Sequence, residues 1–179
     1  MKLIVGLGNP DKNHLRNRHN VGWMAIDFLS SSLKDYFTKE NHSILSTIRE
    51  FDIKGERILL IKPITYMNNS GESVSALSRF YKIEPKDIYV IHDDLDIPLG
   101  QYKVQFEKSP KGHNGILSIE EKLGTKGFWR IRIGVENRTS ENKIPGEKYV
   151  LENFTKDEEK TIKEIFNKIL TNNTILNNQ

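Results

Sequence analysis

Apolar residues recur along this chain in two rhythms, one of period two or less and one of three to four. Leu3-Ile4-Val5 is an unbroken apolar run, and predicts a buried strand over 2–6. From Val21 the spacing turns helical, with Val21, Met24, Ala25, Phe28, Leu29 and Leu33 on one face. Residues 34–43 are polar and read as irregular. Ile44 to Ile53 and Glu56 to Lys62 predict a hairpin turning at Lys54-Gly55 and ended by Pro63. A strand-to-helix loop, Tyr66–Ser70, then precedes a helix carrying Val74, Leu77, Phe80 and Tyr81, with Asn69 and Glu72 spaced as a capping box. Ile88 to Ile91 is continuous and apolar, as in a central strand, and is expected to stop at His92-Asp93-Asp94.

The second half repeats the pattern. Gln101 to Glu107 alternates, with Tyr102, Val104 and Phe106 on one face. Ile116, Ile119 and Leu123 predict a short helix closed by Gly124. Trp129 to Val135 alternates again, with Ile131, Ile133 and Val135 inward and Arg130 and Arg132 outward. Residues 136–148 read as a polar loop. Thr155 and Glu158 cap a last helix, about 156–170, bearing Ile162, Ile165, Phe166 and Ile169, and 172–179 reads as a frayed tail. Alternating strands and helices, without repeat or linker, define an α/β fold: a single domain over 1–179 with a twisted, mixed, partly parallel sheet and helices on both faces.

Composition narrows the setting. The chain is 36% hydrophobic and 28% charged, as in a soluble globular protein. It has no cysteine, which excludes disulfides, thiolate metal sites and a cysteine nucleophile and fits a reducing compartment. No run approaches the ~18 apolar residues of a membrane span, and the short apolar N-terminus does not read as a signal peptide. A cytoplasmic protein without a membrane partner is expected.

Four predicted loops hold the unusual polar residues: Asn9 and His19; Tyr66, Met67 and Asn68; Asp93 with its neighbours; and Gly112, His113 and Asn114. If the strand ends that feed them share one sheet edge, they meet in one crevice. Gly6 and Gly8 read as a tight turn presenting Asn9, with Pro10 holding Asn9 extended. His19 is either a loop histidine bonding its neighbours or a base, and Asp93 either a solvated turn residue or the acceptor that orients that base. Asn9, Asn68 and Asn114 are turn residues singly; converging, they would suit a substrate rich in carbonyls and amides.

Other chemistries fit less well. There is no Gly-x-Ser-x-Gly elbow and no phosphate loop, and Gly6-x-Gly8 lacks the third glycine of a dinucleotide fingerprint. A metal set of His92, Asp93, Asp94, Asp96 and His113 meets the difficulty that sequential side chains alternate across a strand. Net charge is only +3, yet Lys103, Lys108, Lys111, Lys122, Lys126, Arg130 and Arg132 cluster, either as a solvated face or as a phosphate track.

Taken in order, the stretches Ile4–Pro10, Arg18–Gly22, Lys62–Gly71, His92–Gly100, Gly112–Gly115 and Arg130–Val135 resemble the bacterial-type peptidyl-tRNA hydrolases, from residue 2 to about 154. The resemblance implies hydrolysis of the ester between peptide and tRNA, recycling tRNA from dropped-off peptidyl-tRNA, by a monomer with no cofactor and no metal. It implies His19 as the base that activates water and Asp93 as its support. Asn9 would sense the blocked, peptide-like end, and Asn68 and Asn114 would hold the substrate, flanked by Tyr66 and Met67. Arg132 would meet tRNA phosphate. The chain departs from the family's pattern at Asp11, His14, Asn17, Gln105 and Ser109-Pro110-Lys111. His14 stands where the family usually has a substrate-contacting tyrosine, and Lys103, Lys108 or Lys111 would take the role of a missing cation at Gln105. Rival readings are a metal-dependent hydrolase or nuclease using His92 to Asp96, and a non-catalytic RNA-binding protein.

Overall fold

The computed structural model describes residues 1–43, 45–108, 112–141 and 144–172. Seven strands form one sheet in the order β2-β3-β4-β1-β5-β7-β6. Its centre is parallel: β1 (Lys2–Gly6) lies between β4 (Glu56–Pro63) and β5 (Ile88–Pro98), and β5 pairs onward with β7 (Trp129–Glu136). The margins are antiparallel, β2 (Phe37–His42) with β3 (Ser46–Ile53), β3 with β4, and β6 (Tyr102–Phe106) with β7.

The run in β1 is continuously apolar because both faces are buried. Ile4 packs toward α1 (Val21–Ser32) and α5 (Lys156–Thr171), in one core with Ile26, Leu29, Ile133 and Ile165. Leu3 and Val5 pack toward α2 (Ser70–Tyr81) and α3 (Asn114–Leu123), in a second core with Val74, Leu77, Ile116 and Ile119. Helices thus cover both faces, as the pattern predicts. The hairpin turns where expected: Lys54 (φ 53°) and Gly55 (φ 82°) are consecutive left-handed residues, whose twist matches that of the flanking strands.

Several expectations are corrected. Gly6 and Gly8 do not make a left-handed turn. A Cβ on Gly6 would meet the Gly22 carbonyl oxygen at 2.2 Å, and one on Gly8 would meet the Trp23 ring at 2.6 Å. Both are glycines because the first turn of α1 lies directly against the chain leaving β1. Within 34–43, read as irregular, β2 forms an edge strand exposed on nearly every residue, so no alternation marks it. Main-chain pairing with β3 holds it. The strand expected to stop at His92 runs to Pro98, because Asp93 and Asp94 stay in register with Ile133 and Gly134.

Arg130 and Arg132, expected to face solvent, are buried. Arg130 donates to Glu120 at 2.8 Å and lies over the Phe128 ring at 3.7 Å. Arg132 donates to Asp94 at 2.7 Å and Gln105 at 2.5 Å. Asn69 occupies the N-cap position of α2, yet its side chain caps nothing, so no capping box forms there. The box at Thr155 and Glu158 forms in both halves. A short helix, α4 (Gly146–Tyr149), begins inside the expected 136–148 loop. Expectations for Ile44, Ser109-Pro110-Lys111 and 173–179 lie outside the described residues.

Candidate active site

Because β1, β4 and β5 are parallel, the loops leaving them emerge at one sheet edge. There they enclose a cleft of about 480 Å³, lined by Asn9, His19, Tyr66, Met67, Asn68, Asp93, His113 and Asn114, and closed on another side by Gly146, Glu147, Val150 and Leu151. Seven of the expected site residues therefore meet in one place. His14 and Arg132 are not among the lining residues. His14 lies in a turn where its Nδ1 contacts the Asn17 amide at 2.7 Å, and Arg132 is engaged by Asp94 and Gln105.

His19 lies in a single 3-10 turn, Arg18–Asn20, and its main-chain N–H donates to the Val150 carbonyl at 2.8 Å. Its Nδ1 is 2.8 Å from Asp93 Oδ1. A carboxylate only accepts, so Nδ1 carries the proton and Nε2 keeps its lone pair. Burial pushes the imidazole pKa down, but the charge and hydrogen bond of Asp93 outweigh it and hold it above the ordinary value of 6.5. Burial alone would raise the Asp93 pKa; the two imidazoles beside it, His19 and His113, reverse the effect and hold it far below the ordinary carboxylate range.

His113, which the sequence reading placed in the fourth loop and weighed only as a metal ligand, is a second partner of Asp93. Its Nε2 donates to the same Asp93 oxygen at 3.0 Å, while its Nδ1 accepts from the Ile116 N–H at 3.4 Å as the N-cap of α3. Accepting at Nδ1 leaves Nε2 as the ring nitrogen that donates to Asp93. Behind it, His92 packs against the ring at 4.7 Å and donates to the Asp93 carbonyl at 2.7 Å. Burial holds His92 well below its ordinary pKa, hence neutral.

Asn9 is gripped by Asn20, a partner the sequence reading omitted. The Asn9 N–H donates to Asn20 Oδ1 and Asn20 Nδ2 donates to the Asn9 carbonyl, each at 2.9 Å. Asn9 Oδ1 in turn accepts from the Met67 N–H at 2.9 Å, which commits its oxygen and leaves Nδ2 as the available donor. Met67 is buried in the second core, whereas Tyr66, Asn68 and Asn114 are exposed.

A buried clasp carries the histidine turn. The Arg18 Nη2 donates to both carboxylate oxygens of Glu158 at 3.0 and 2.8 Å, and its guanidinium lies over Tyr149 at 4.0 Å. Glu158 also accepts from Asn137 Nδ2 and from the Thr155 N–H. Glu158→Ala would strand a buried guanidinium, and is expected to lower unfolding free energy by about 3–5 kcal/mol, read by urea titration.

Among the described residues that line the cleft there is no serine, threonine or cysteine. The fold and site define an α/β protein whose sheet edge presents a histidine–carboxylate pair in an open, amide-lined cleft. Comparison with known proteins gives the family. Its model, described as peptidyl-tRNA hydrolase, matches residues 3–179. The peptidyl-tRNA hydrolase of Desulfitobacterium hafniense is 42% identical over 94% of this chain and 88% of its own length, and that of Aquifex aeolicus is 42% identical over 94% and 85%. The crystal structure of peptidyl-tRNA hydrolase from Acinetobacter baumannii superposes with a TM-score of 0.86 at 30% identity, covering 98% of this chain and 88% of that one. The chain belongs to the peptidyl-tRNA hydrolase family.

Proposed function

We propose that the chain hydrolyses the ester joining a peptide to the 3′ ribose of tRNA, with His19 as general base. One observation carries the mechanism: the 2.8 Å contact of His19 Nδ1 with Asp93 inside an amide-lined cleft. His19 Nε2 removes a proton as a water oxygen attacks the ester carbonyl carbon, and the carbonyl electron pair moves onto its oxygen. Collapse of the tetrahedral intermediate expels the ribose oxygen, which takes the proton back from the imidazolium. Asp93 stabilises that imidazolium. An ester is a better acyl donor than an amide, so a positioned water suffices without a covalent intermediate.

Asn9 reads the substrate. With its oxygen committed to Met67, its Nδ2 donates to a peptide carbonyl that free aminoacyl-tRNA, bearing an ammonium there, lacks. Asn68 and Asn114, exposed beside Tyr66, hold the substrate near the scissile bond. Lys103 and Lys108, exposed on and after β6, take the phosphate role first assigned to Arg132. Replacing both by alanine is expected to raise KM several-fold and flatten the dependence of log kcat/KM on log salt by about 1.4–1.8. A monomer working in the cytoplasm as one domain completes the reading.

The test is incubation of N-blocked and free aminoacyl-tRNA with the protein in chelator. Release from the blocked substrate alone is expected. Loss of release would favour a metal at His19, Asp93 and His113, whose ligand atoms lie within 4.8 Å of one another. Salt-sensitive binding without turnover would favour an RNA-binding protein.

A further inference from the structure

Far along the sheet from β5 lies a second recess, of about 680 Å³. It opens where β2 and β3 reach past α2, with the partly exposed Ala76 and the edges of the buried Ile48 and Leu77 as its apolar floor. Phe80 stands at its wall with 77% of its surface exposed, the highest value for a large apolar side chain among the described residues. Tyr81 packs against it edge to face at 4.9 Å.

The rim is cationic. Glu50, buried under β2, accepts from Arg57 Nε at 2.8 Å, Asn41 Nδ2 at 3.2 Å and Tyr81 at 3.4 Å, and contacts Lys39 at 3.3 Å. One buried acid thus faces two cations, and the Lys39 and Arg57 side chains remain 54% and 40% exposed. Beside them, among the described residues, β2 pairs on one side only and presents its other main-chain edge. An apolar pocket alone would suit any hydrophobe. The excess positive charge selects an acidic partner, and the free strand edge selects an extended peptide over a small acid, because only a peptide uses main-chain hydrogen bonds there.

The geometry points to a peptide-docking site: an extended segment lies along β2 with an apolar side chain in the recess and, two residues away on the same face, an acidic side chain against Lys39 and Arg57. The period of two follows from strand geometry. This assignment stands independently of the hydrolase mechanism.

The test is titration of the 15N-labelled protein with acetyl-Thr-Glu-Thr-Phe-Thr-amide, followed by amide chemical shifts. Shifts are expected along β2 and the C-terminal half of α2, with His19 unmoved. Replacing the peptide's Glu by Lys, or its Phe by Ser, is expected to weaken binding by about 10-fold or more. Ala76→Trp, which fills the recess, and Phe80→Ser, which alters only an exposed ring, are each expected to weaken binding similarly with ester hydrolysis unchanged. Equal binding of the Glu and Lys peptides overturns the proposal. So do tighter binding of free phenylpropionate than of the peptide, shifts centred on the catalytic cleft, and concentration-dependent shifts without peptide, which would place a second copy of the chain on this face.

Discussion

His19→Ala is expected to lower kcat for N-blocked aminoacyl-tRNA by about 10²–10⁴-fold, with circular dichroism and unfolding midpoint little changed. The size follows from what alanine removes. Among the described residues that line the cleft, His19 is the one with a ring nitrogen free to take a proton, because His113 is engaged at both nitrogens, by Asp93 and by the Ile116 N–H. Asn9, Asn68 and Asn114 would still orient the ester, so KM moves much less than kcat. Turnover by the alanine variant at the parent rate would remove His19 from the mechanism altogether.

Asp93→Asn separates charge from geometry. The asparagine oxygen can accept from both His19 and His113, as Asp93 Oδ1 does, so the rings keep their places while the negative charge disappears. The expected loss in kcat is about 10²-fold or more, because the imidazolium formed in the transition state loses its counter-charge. The pH profile moves as well. In the parent protein the acid limb of kcat/KM lies above pH 6.5, since Asp93 outweighs burial at His19. Without that charge burial loses the larger of its two opponents, and the limb shifts to lower pH. A slower variant whose acid limb stays in place would contradict the role given to Asp93. Stability runs the other way. A raised folded-state pKa stabilises below the unfolded value of 6.5, and that contribution is lost as pH rises through the raised value. Activity and His19-linked stability therefore have opposite slopes across the same window.

The frame was legible wherever burial wrote a period into the chain. β1, α1, the hairpin of β3 and β4, and α5 with its Thr155–Glu158 cap follow the pattern because one or both faces are apolar. β2 left no such mark, being exposed and held by main-chain bonds that any side chain permits. The extension of β5 was hidden for the opposite reason. Its polar residues are buried with partners distant in sequence, Asp94 with Arg132 and Asp93 with His19, and hydrophobic pattern cannot report a compensated charge. Arg130 and Arg132 were misread on the same ground. Within the site, the resemblance pointed to Asn9, His19 and Asp93. The residues that hold them, Asn20, His113 and the Arg18–Glu158 clasp, work through contacts that no local spacing foretells.

That clasp has a consequence for the life of the molecule before it is finished. A polypeptide is made from its N-terminus, and Arg18 leaves the ribosome 140 residues ahead of the glutamate that grips it. Through most of its own synthesis the chain carries the histidine without the perch beneath it. The histidine turn is therefore complete only once α5 has emerged and docked. Until then a nascent copy, itself an ester of tRNA, lacks the assembled means to cleave one.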